Sequence, residues 1–154
     1  MICAMVIDSP VGVLTLMEEN GAMTEIRFGE KTDGTVLQST PTLEAAAWQL
    51  GEYFRGERRV FTVPLDPRGT PFQRKCWQAL LQIPYGETRT YGQQAAMIGQ
   101  PKACRAVGMG NHRNPLPILI PCHRVVGADG KLTGYAGGLN IKEKLLHIER
   151  MNPA

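Results

Sequence analysis

The sequence predicts a mixed α/β (α+β) fold in which a small sheet-bearing half precedes a mostly helical half. Strand-like segments come first in the chain, and in the second half segments with apolar residues at helical spacing prevail. The charge changes at the same place, because residues 1–69 carry 6 basic against 10 acidic side chains, whereas residues 70–154 carry 11 against 4. We therefore predict one domain at 1–66 and a second at 69–154, with the turn-rich segment 64–69 between them.

The N-terminal half predicts an antiparallel meander followed by a helix. Residues 4–7, 13–17 and 23–28 have strand character and are separated by turn-forming residues. Apolar residues at helical spacing predict a helix over 41–54, and a further strand is expected over 60–65. This half combines no nucleophile with a base, so we expect it to support the fold.

Two helices of the second half begin with capping boxes, in which a threonine is followed by a glutamine three residues later. The helix that begins after Thr70 places Cys76 on its apolar stripe, where a cysteine acts as a small core residue. The helix that begins after Thr90 is followed by a shorter one over 102–107, which Gly108 is expected to end. Two short helices joined by a tight turn are typical of a helix-turn-helix.

The basic charge of this half favours a polyanionic partner, and the helix-turn-helix makes DNA the preferred one. The helix at 102–107 has only Lys102 and Arg105 as long polar side chains, so little reading of base sequence is expected. Its small side chains permit close backbone approach, and Arg105 could enter the duplex. The alternatives are a simple phosphate contact or surface salt bridge by Arg105, and a basic surface without a partner.

A cysteine next to a base and a cation follows a short apolar run in the last third. The run 118–120 predicts a buried strand, which the prolines on either side prevent from extending. The chain then presents Cys122, His123 and Arg124, surroundings that favour a thiolate. The alternative is a buried cysteine that acts only as a small hydrophobic residue.

A carboxylate on the final helix is the expected partner of that histidine. We expect Asn140 to cap this helix, and Glu149 falls on its apolar line, where an unpaired carboxylate would be costly to bury. Glu149 would hold His123, and the imidazole would deprotonate Cys122 at a lowered thiol pKa. The alternative is an exposed carboxylate near a frayed helix end.

The remaining features concern location, metals and the other histidines. We find no signal peptide and no membrane span in the sequence, so we expect a cytoplasmic protein. The four cysteines do not have the spacing of a metal site, and we expect no disulfides, bound metal or cofactor. His112 and His147 are expected at the surface. A strand over 132–135 is expected to lead into a glycine-containing loop that lets a ligand approach the backbone.

Four sequence blocks together resemble one known family, the O6-alkylguanine-DNA alkyltransferases. They occur in the family's order at 83–92, 105–108, 120–127 and 134–139. The similarity covers about residues 69–150, and the first 65 residues look like the family's variable N-terminal domain. The resemblance implies a small RNase H-like domain followed by a helical, winged helix-turn-helix-like domain.

The resemblance also implies direct-reversal DNA repair by a monomer that acts on double-stranded DNA containing O6-alkylguanine. The alkyl group would pass to Cys122 after the base is flipped out from the minor groove, because a thiol cannot reach O6 inside a stacked duplex. His123, through a water, looks like the base, and Glu149 like the residue that orients it. A thioether is not hydrolysed, so each chain would react once, without metal or cofactor.

Further roles follow from the resemblance alone. Asn114 matches a brace of the active-site turn, and Tyr91 matches the residue that rotates the nucleotide's phosphate and protonates the departing guanine. Arg105 matches the finger that fills the gap left by the flipped base. The other implied DNA contacts are small or basic, namely Lys102, Ala103, Ala106 and Gly108. The implied substrate pocket consists of Asn111, Pro117, Tyr135, Ala136 and Gly137.

Three other functions compete with this interpretation. An alkyltransferase-like lesion sensor lacks the acceptor cysteine, which Cys122 supplies here. A Cys-His hydrolase needs an oxyanion hole and an acyl substrate, and it leaves the basic helix-turn-helix unexplained. A transcription factor would show sequence preference. The range of adducts, activity on O4-alkylthymine, cooperativity on DNA and any regulatory role are left open.

Overall fold

The computed structural model describes residues 1–152 and divides into two compact units, one at Met1–Arg68 and another that begins at Gly69. The predicted mixed α/β class is confirmed, since the first unit is built on a sheet and the second mainly on helices. Within the described residues, no helix is long and apolar enough to cross a membrane.

The first unit is a four-stranded sheet with one helix. Strand β2 pairs antiparallel with both β1 and β3, and β4 adds to the other edge of β1 in parallel. The predicted meander and helix are confirmed. The elements are β1 at Cys3–Ile7, β2 at Leu14–Glu19, β3 at Ala22–Phe28, β4 at Val36–Leu37 and α1 at Pro41–Phe54.

Local signals explain these elements. Asn20 and Gly21 form the two-residue turn between β2 and β3 with φ of 54° and 82°, a backbone that asparagine and glycine tolerate best. The Thr40 side chain accepts a hydrogen bond from the Leu43 N–H at 3.1 Å and so caps α1. Gly56, with φ of 75°, follows the end of the helix.

The strand predicted over 60–65 is wrong. Only an isolated bridge between Leu65 and Met23 is present, in which the Met23 N–H donates to Pro64 O and the Asp66 N–H donates to Met23 O, both at 2.8 Å. Pro64 has no N–H to give, so the pairing does not extend. The two-residue β4, whose residues are exposed, carried too little pattern to be predicted.

Up to residue 152, the second unit contains four α-helices, one 3₁₀ turn and a two-stranded parallel sheet. Both predicted capping boxes are present, and Cys76 is fully buried as expected. The elements are α2 at Pro71–Leu81, β5 at Arg89–Thr90, α3 at Tyr91–Met97, α4 at Cys104–His112, β6 at Val125–Val126 and α5 at Leu139–Met151.

Helix α4 differs from the prediction because Gly108 does not end it. The helix begins two residues later than predicted and continues through Gly108 and Gly110. A Cβ on Gly110 would lie 2.9 Å from the Cys76 Sγ, and the Trp77 indole N–H donates to Gly110 O at 2.9 Å. Gly110 therefore allows close packing of α4 against α2.

Three further predictions about the last third are wrong. The run 118–120 is buried, but it forms a turn in which Ile118 has φ of 75° and the Ile120 N–H donates to Leu116 O at 2.8 Å. The segment 132–135 contains no strand. The cap of α5 is Gly138 rather than Asn140, which lies in the first turn.

Candidate active site

A cleft of about 340 Å³ contains Cys122, which is 8% exposed and begins a single 3₁₀ turn, Cys122–Arg124. One wall is the C-terminal half of α4, and another is the loop that precedes α5. The lining residues are Tyr91, Gly108, Met109, Asn111, His112, Cys122, Gly134, Tyr135 and Ala136. A thiol in a concave, mixed polar and apolar site is accessible to a small group brought by a ligand.

Asn114 braces the turn that delivers the cysteine. Its Nδ2 donates to Ile120 O at 2.9 Å, and its Oδ1 accepts from the Leu116 N–H at 3.0 Å. The Cys122 N–H also donates to Ile120 O at 2.8 Å. These bonds tie the two ends of the turn together and hold Ile118 in its left-handed conformation, which is costly for a β-branched residue.

The predicted contact between His123 and Glu149 is present, with Nε2 and Oε2 2.6 Å apart and both side chains buried. Burial lowers the pKa of His123, although Glu149 acts in the opposite direction. Burial alone would raise the pKa of Glu149, but hydrogen bonds and charges from His123 and Arg124 lower it to about 2. We therefore assign an ionised carboxylate that accepts from Nε2–H, which leaves the lone pair of the neutral ring on Nδ1.

Arg124 completes this cluster in a way that sequence reasoning missed. It was expected to favour the thiolate, but its Nε donates to Glu149 Oε1 at 2.9 Å and its Nη2 to Oε2 at 3.2 Å. Its Nη1 donates to Ile83 O at 2.7 Å, and the Gly86 N–H also donates to Glu149 Oε1 at 3.1 Å. A neutral histidine alone does not compensate a buried carboxylate, which also needs a cationic partner. That need could have identified Arg124 as a partner of Glu149.

Lys142 is the second residue that the sequence interpretation missed. It is fully buried, and its Nζ donates to Thr133 O at 2.6 Å and to Gly134 O at 3.3 Å. Burial lowers the pKa of Lys142, while the nearby Cys122 acts in the opposite direction. Its spacing from Leu145 and Glu149 along α5 places it on the same helix face, and that spacing could have revealed it.

The expectation of a lowered thiol pKa is wrong for this conformation. Burial raises the pKa of Cys122 to about 11, even though a hydrogen bond from Asn114 and the charge of Lys142 act in the opposite direction. His123 and Arg124 both bind Glu149, and neither side chain lowers the pKa of the thiol. The thiol form of Cys122 is therefore favoured at neutral pH.

The residues implied to bind DNA lie on an accessible part of the second unit. Lys102, Arg105 and Ala106 are exposed, whereas Ala103 and Gly108 are half-buried. All five belong to α4 or to the turn immediately before it. Apart from the two cationic side chains, this surface consists of small residues, as the sequence suggested.

Tyr91, the first residue of α3, lies at the cleft and is fastened to its loop. Its hydroxyl donates to Thr133 O at 3.3 Å and accepts from the Thr133 Oγ1 at 3.2 Å. Because Lys142 donates to the same carbonyl, Thr133 links Tyr91 to the buried ammonium. The loop that precedes α5 is thus anchored at one point by two side chains.

The implied pocket residues divide into two groups. Asn111, Tyr135 and Ala136 line the cleft, but the Asn111 amide is engaged in two reciprocal bonds with Gln94, at 2.7 and 2.9 Å. Pro117 and Gly137 are not part of the lining. Pro117 bridges to Ile120 inside the braced turn instead, so its influence on the cleft is indirect.

The other two histidines are both exposed but differ in their positions. His147 is exposed as expected, whereas the exposed His112 lies in the lining of the cleft, which the sequence did not indicate. Within residues 1–152, no three His, Cys, Asp or Glu side chains are grouped so that they could hold a metal ion.

Known proteins similar to this chain match both units. A family model described as 6-O-methylguanine DNA methyltransferase, DNA binding domain, matches residues 71–151. Another, described as 6-O-methylguanine DNA methyltransferase, ribonuclease-like domain, matches residues 2–67. The two matches together extend over nearly the whole chain.

Curated relatives and solved structures agree with these matches. The methylated-DNA–protein-cysteine methyltransferase of Mycobacterium tuberculosis (strain ATCC 25618 / H37Rv) is 51% identical over 148 residues, which cover 94% of this chain and 90% of the relative. The constitutive enzyme of that name from Bacillus subtilis (strain 168) is 49% identical over 154 residues, with 94% and 93% covered. The crystal structure of Mycobacterium tuberculosis OGT in complex with DNA has a TM-score of 0.90 at 50% identity and covers 97% of this chain and 94% of that one. The chain therefore belongs to the 6-O-methylguanine DNA methyltransferase family and is an enzyme of the methylated-DNA–protein-cysteine methyltransferase class.

Proposed function

We propose that this enzyme repairs O6-alkylguanine in double-stranded DNA by transferring the alkyl group irreversibly to Cys122. The observation that carries the proposal is the position of Cys122 in a cleft, next in sequence to a histidine that is bound to a buried, ionised glutamate. The relatives and the DNA complex support DNA as the partner. Residues 69–154 form the proposed DNA-binding and acceptor domain, and residues 1–66 its support.

The proposed reaction begins with a proton transfer inside the site. The Cys122 thiol gives its proton, through a water, to Nδ1 of His123, and Glu149 compensates the imidazolium charge that forms. The thiolate attacks the alkyl carbon, so an S–C bond forms while the bond between that carbon and O6 breaks. The electron pair of the broken bond goes to the guanine, which takes a proton from the Tyr91 hydroxyl. Tyr91 then regains a proton from solvent, His123 releases the proton that it took from the thiol, and the protein keeps a thioether.

The proposed approach to DNA uses α4 in the minor groove. Arg105 would fill the gap left by the flipped nucleotide, and the small residues Ala103, Ala106 and Gly108 would let the backbone approach the duplex. Flipping is required because the Cys122 thiol lies inside a cleft and cannot reach an atom of a base that is still stacked in the duplex. O4-alkylthymine presents a similar ether. Measuring alkyl transfer from a duplex that carries O4-alkylthymine would show whether it is also a substrate.

The number of transfers per chain tests the irreversibility. With a tenfold excess of O6-methylguanine duplex, we expect repair to stop after one methyl group per protein, because a thioether is not hydrolysed. The duplex is digested afterwards and its remaining O6-methylguanine is measured. Continued repair beyond one equivalent would overturn the proposal.

A second experiment separates base flipping from chemistry. Arg105→Ala should slow methyl transfer from the duplex but leave the reaction with free O6-methylguanine base unchanged, because a free base needs no extrusion. Arg74→Ala, an exposed arginine on α2, is the matched control. Equal losses with both substrates would contradict the assigned role of Arg105.

A lesion sensor that binds DNA without repairing it is the alternative. It predicts tight binding to the methylated duplex without transfer to Cys122. The monomeric state and the cytoplasmic location expected from the sequence stay predictions.

A further inference from the structure

The C-terminal half of α4 forms one wall of the Cys122 cleft, and it ends in a histidine that has no role in the mechanism above. The α4 residues in this wall are Gly108, Met109, Asn111 and His112. Asn111 is buried, and its amide is bonded to Gln94. The His112 side chain is exposed at the last residue of the helix.

His112 shares its helix face with the residue proposed to enter the duplex. Arg105, Met109 and His112 are separated by four and three residues, so their side chains project from one side of α4. All three are exposed, whereas Val107 on another side is fully buried. One face of the helix therefore connects the surface proposed to enter the DNA with the mouth of the cleft.

The chemistry of this wall suits an anion. Among the described residues that line the cleft, none is acidic, and Arg113 next to His112 is exposed. Within residues 1–152, the His112 ring is engaged in no hydrogen bond. An imidazole always carries at least one N–H, so it can donate to a phosphate oxygen in either protonation state. Contacts of this kind fix the position of a nucleic acid without reading its sequence.

We propose that His112 is a substrate-binding residue that donates a hydrogen bond to a backbone phosphate next to the flipped nucleotide. The inference rests on the proposed function, since it needs a nucleotide with its base in the Cys122 cleft. It assigns the phosphate rather than the base to His112, because the ring is exposed at the end of the wall whereas Cys122 is almost fully buried.

Two substrates distinguish this contact from other roles of the side chain. The duplex carries phosphates, and free O6-methylguanine base carries none. For His112→Ala we expect the second-order rate of methyl transfer from the duplex to fall about tenfold, the effect of losing one hydrogen bond to a charged group. The rate with the free base should be unchanged, and His112→Gln, which keeps an N–H donor, should recover part of the loss.

The matched control is His147→Ala, an exposed histidine on α5 that does not line the cleft. It should leave both rates unchanged. An unchanged duplex rate in His112→Ala would overturn the inference, and so would equal losses with duplex and free base, which would indicate a contact with the base or a change in the cleft. If the unmodified protein itself transferred no methyl group from the duplex, the proposed function would fail first.

Discussion

At the scale of single residues, the Cys122 thiol is buried next to a cluster in which the Glu149 carboxylate binds His123 and Arg124. Burial raises the pKa of the Cys122 thiol to about 11, while Glu149 is ionised and His123 is neutral. The neutral imidazole has its lone pair on Nδ1, since Nε2 is committed to the carboxylate. In the proposed mechanism, reactivity near neutral pH depends on proton transfer from the thiol to this imidazole.

Replacement of the imidazole tests this dependence. In His123→Gln the thiol has no internal acceptor, so alkylation of Cys122 by iodoacetamide should rise about tenfold per pH unit from pH 7 to 9, well below its pKa. The unmodified protein should react faster at pH 7 and with a shallower pH dependence. The modified peptide is quantified by mass spectrometry. Identical pH profiles for the two proteins would contradict the relay.

Loss of the Glu149 carboxylate should lower the stability of the protein. Glu149→Gln leaves the buried Arg124 guanidinium without its carboxylate, and we expect the free energy of unfolding to fall by about 3–5 kcal/mol. Urea unfolding at pH 7 measures the change. Glu143→Gln, an exposed residue of the same helix, is the control and should stay within about 0.5 kcal/mol of the unmodified protein.

The same pair of proteins gives a pH test with a defined sign. The pKa of Glu149 is lower in the folded protein, at about 2, than in the unfolded chain. Its contribution to stability is therefore complete above the unfolded value of about 4.3 and is lost as pH falls towards the folded one. The difference in unfolding free energy between Glu149→Gln and the unmodified protein should shrink below about pH 4. A constant difference down to pH 3 would contradict the assignment.

Lys142 offers a prediction about catalysis rather than folding. Lys142→Met keeps a long apolar stem but removes the ammonium that holds the Thr133 and Gly134 carbonyls and interacts electrostatically with Cys122. We expect the rate of methyl transfer to fall at least about tenfold, because charged hydrogen bonds at a buried site are lost. Single-turnover kinetics on methylated duplex measure it. Lys144→Met, exposed on the same helix, should leave the rate unchanged.

At the scale of elements, short helices position the site, and glycines set how closely they approach. The carbonyl of Gly110 in α4 accepts from Trp77 in α2, and its missing side chain leaves room for Cys76. This packing fixes the position of helix α4, which contributes Asn111 and His112 to the lining of the cleft. Strands β5 and β6 pair next to the N-terminus of α3 and the 3₁₀ turn, so Tyr91 and Cys122 are supported by the same small sheet.

Two glycine substitutions test this packing. Gly110→Ala would place a methyl group 2.9 Å from the Cys76 Sγ, and we expect it to destabilise the protein by about 1–3 kcal/mol. Gly108→Ala is the matched control in the same helix, because its Cβ would meet the Tyr91 ring at an ordinary 3.7 Å. It should be neutral or slightly stabilising, as alanine favours helix. Thermal unfolding compares them, and equal midpoints would contradict the packing argument.

Sequence reasoning was reliable for elements whose signals are local. Both capping boxes, the meander and helices α1, α2 and α3 are close to their predicted positions, because capping and periodicity are written in neighbouring residues. It failed where tertiary contacts decide. Gly108 was expected to end α4 but is a packing position, and the apolar run 118–120 is a buried turn held by Asn114. No local pattern distinguishes these cases.

At the scale of the whole molecule, the sequence was sufficient to locate the candidate site. It was not sufficient to predict the charge interactions and pKa values of the residues in it. The pairing of His123 with Glu149 followed from helical periodicity and the cost of burying a charge. The engagement of Arg124 by that carboxylate, the burial of Lys142 and the raised pKa of Cys122 depend on segments far apart in the chain. Such features become visible only when the segments are brought together.

The division of charge between the two halves fits the proposed roles. The basic second half carries the cleft and helix α4. Because Lys and Arg contacts to phosphates release counterions, binding to unmodified duplex should weaken steeply as salt increases.

The most direct test of the central claim is the intact mass of the protein after incubation with a duplex that carries one O6-methylguanine. We expect a gain of about 14 Da, one methyl group in place of a hydrogen, on the peptide that contains Cys122. Cys122→Ser, treated in the same way, should gain nothing. An unchanged mass despite tight, sequence-independent binding would contradict the transfer to Cys122 and identify the protein as a sensor of the lesion.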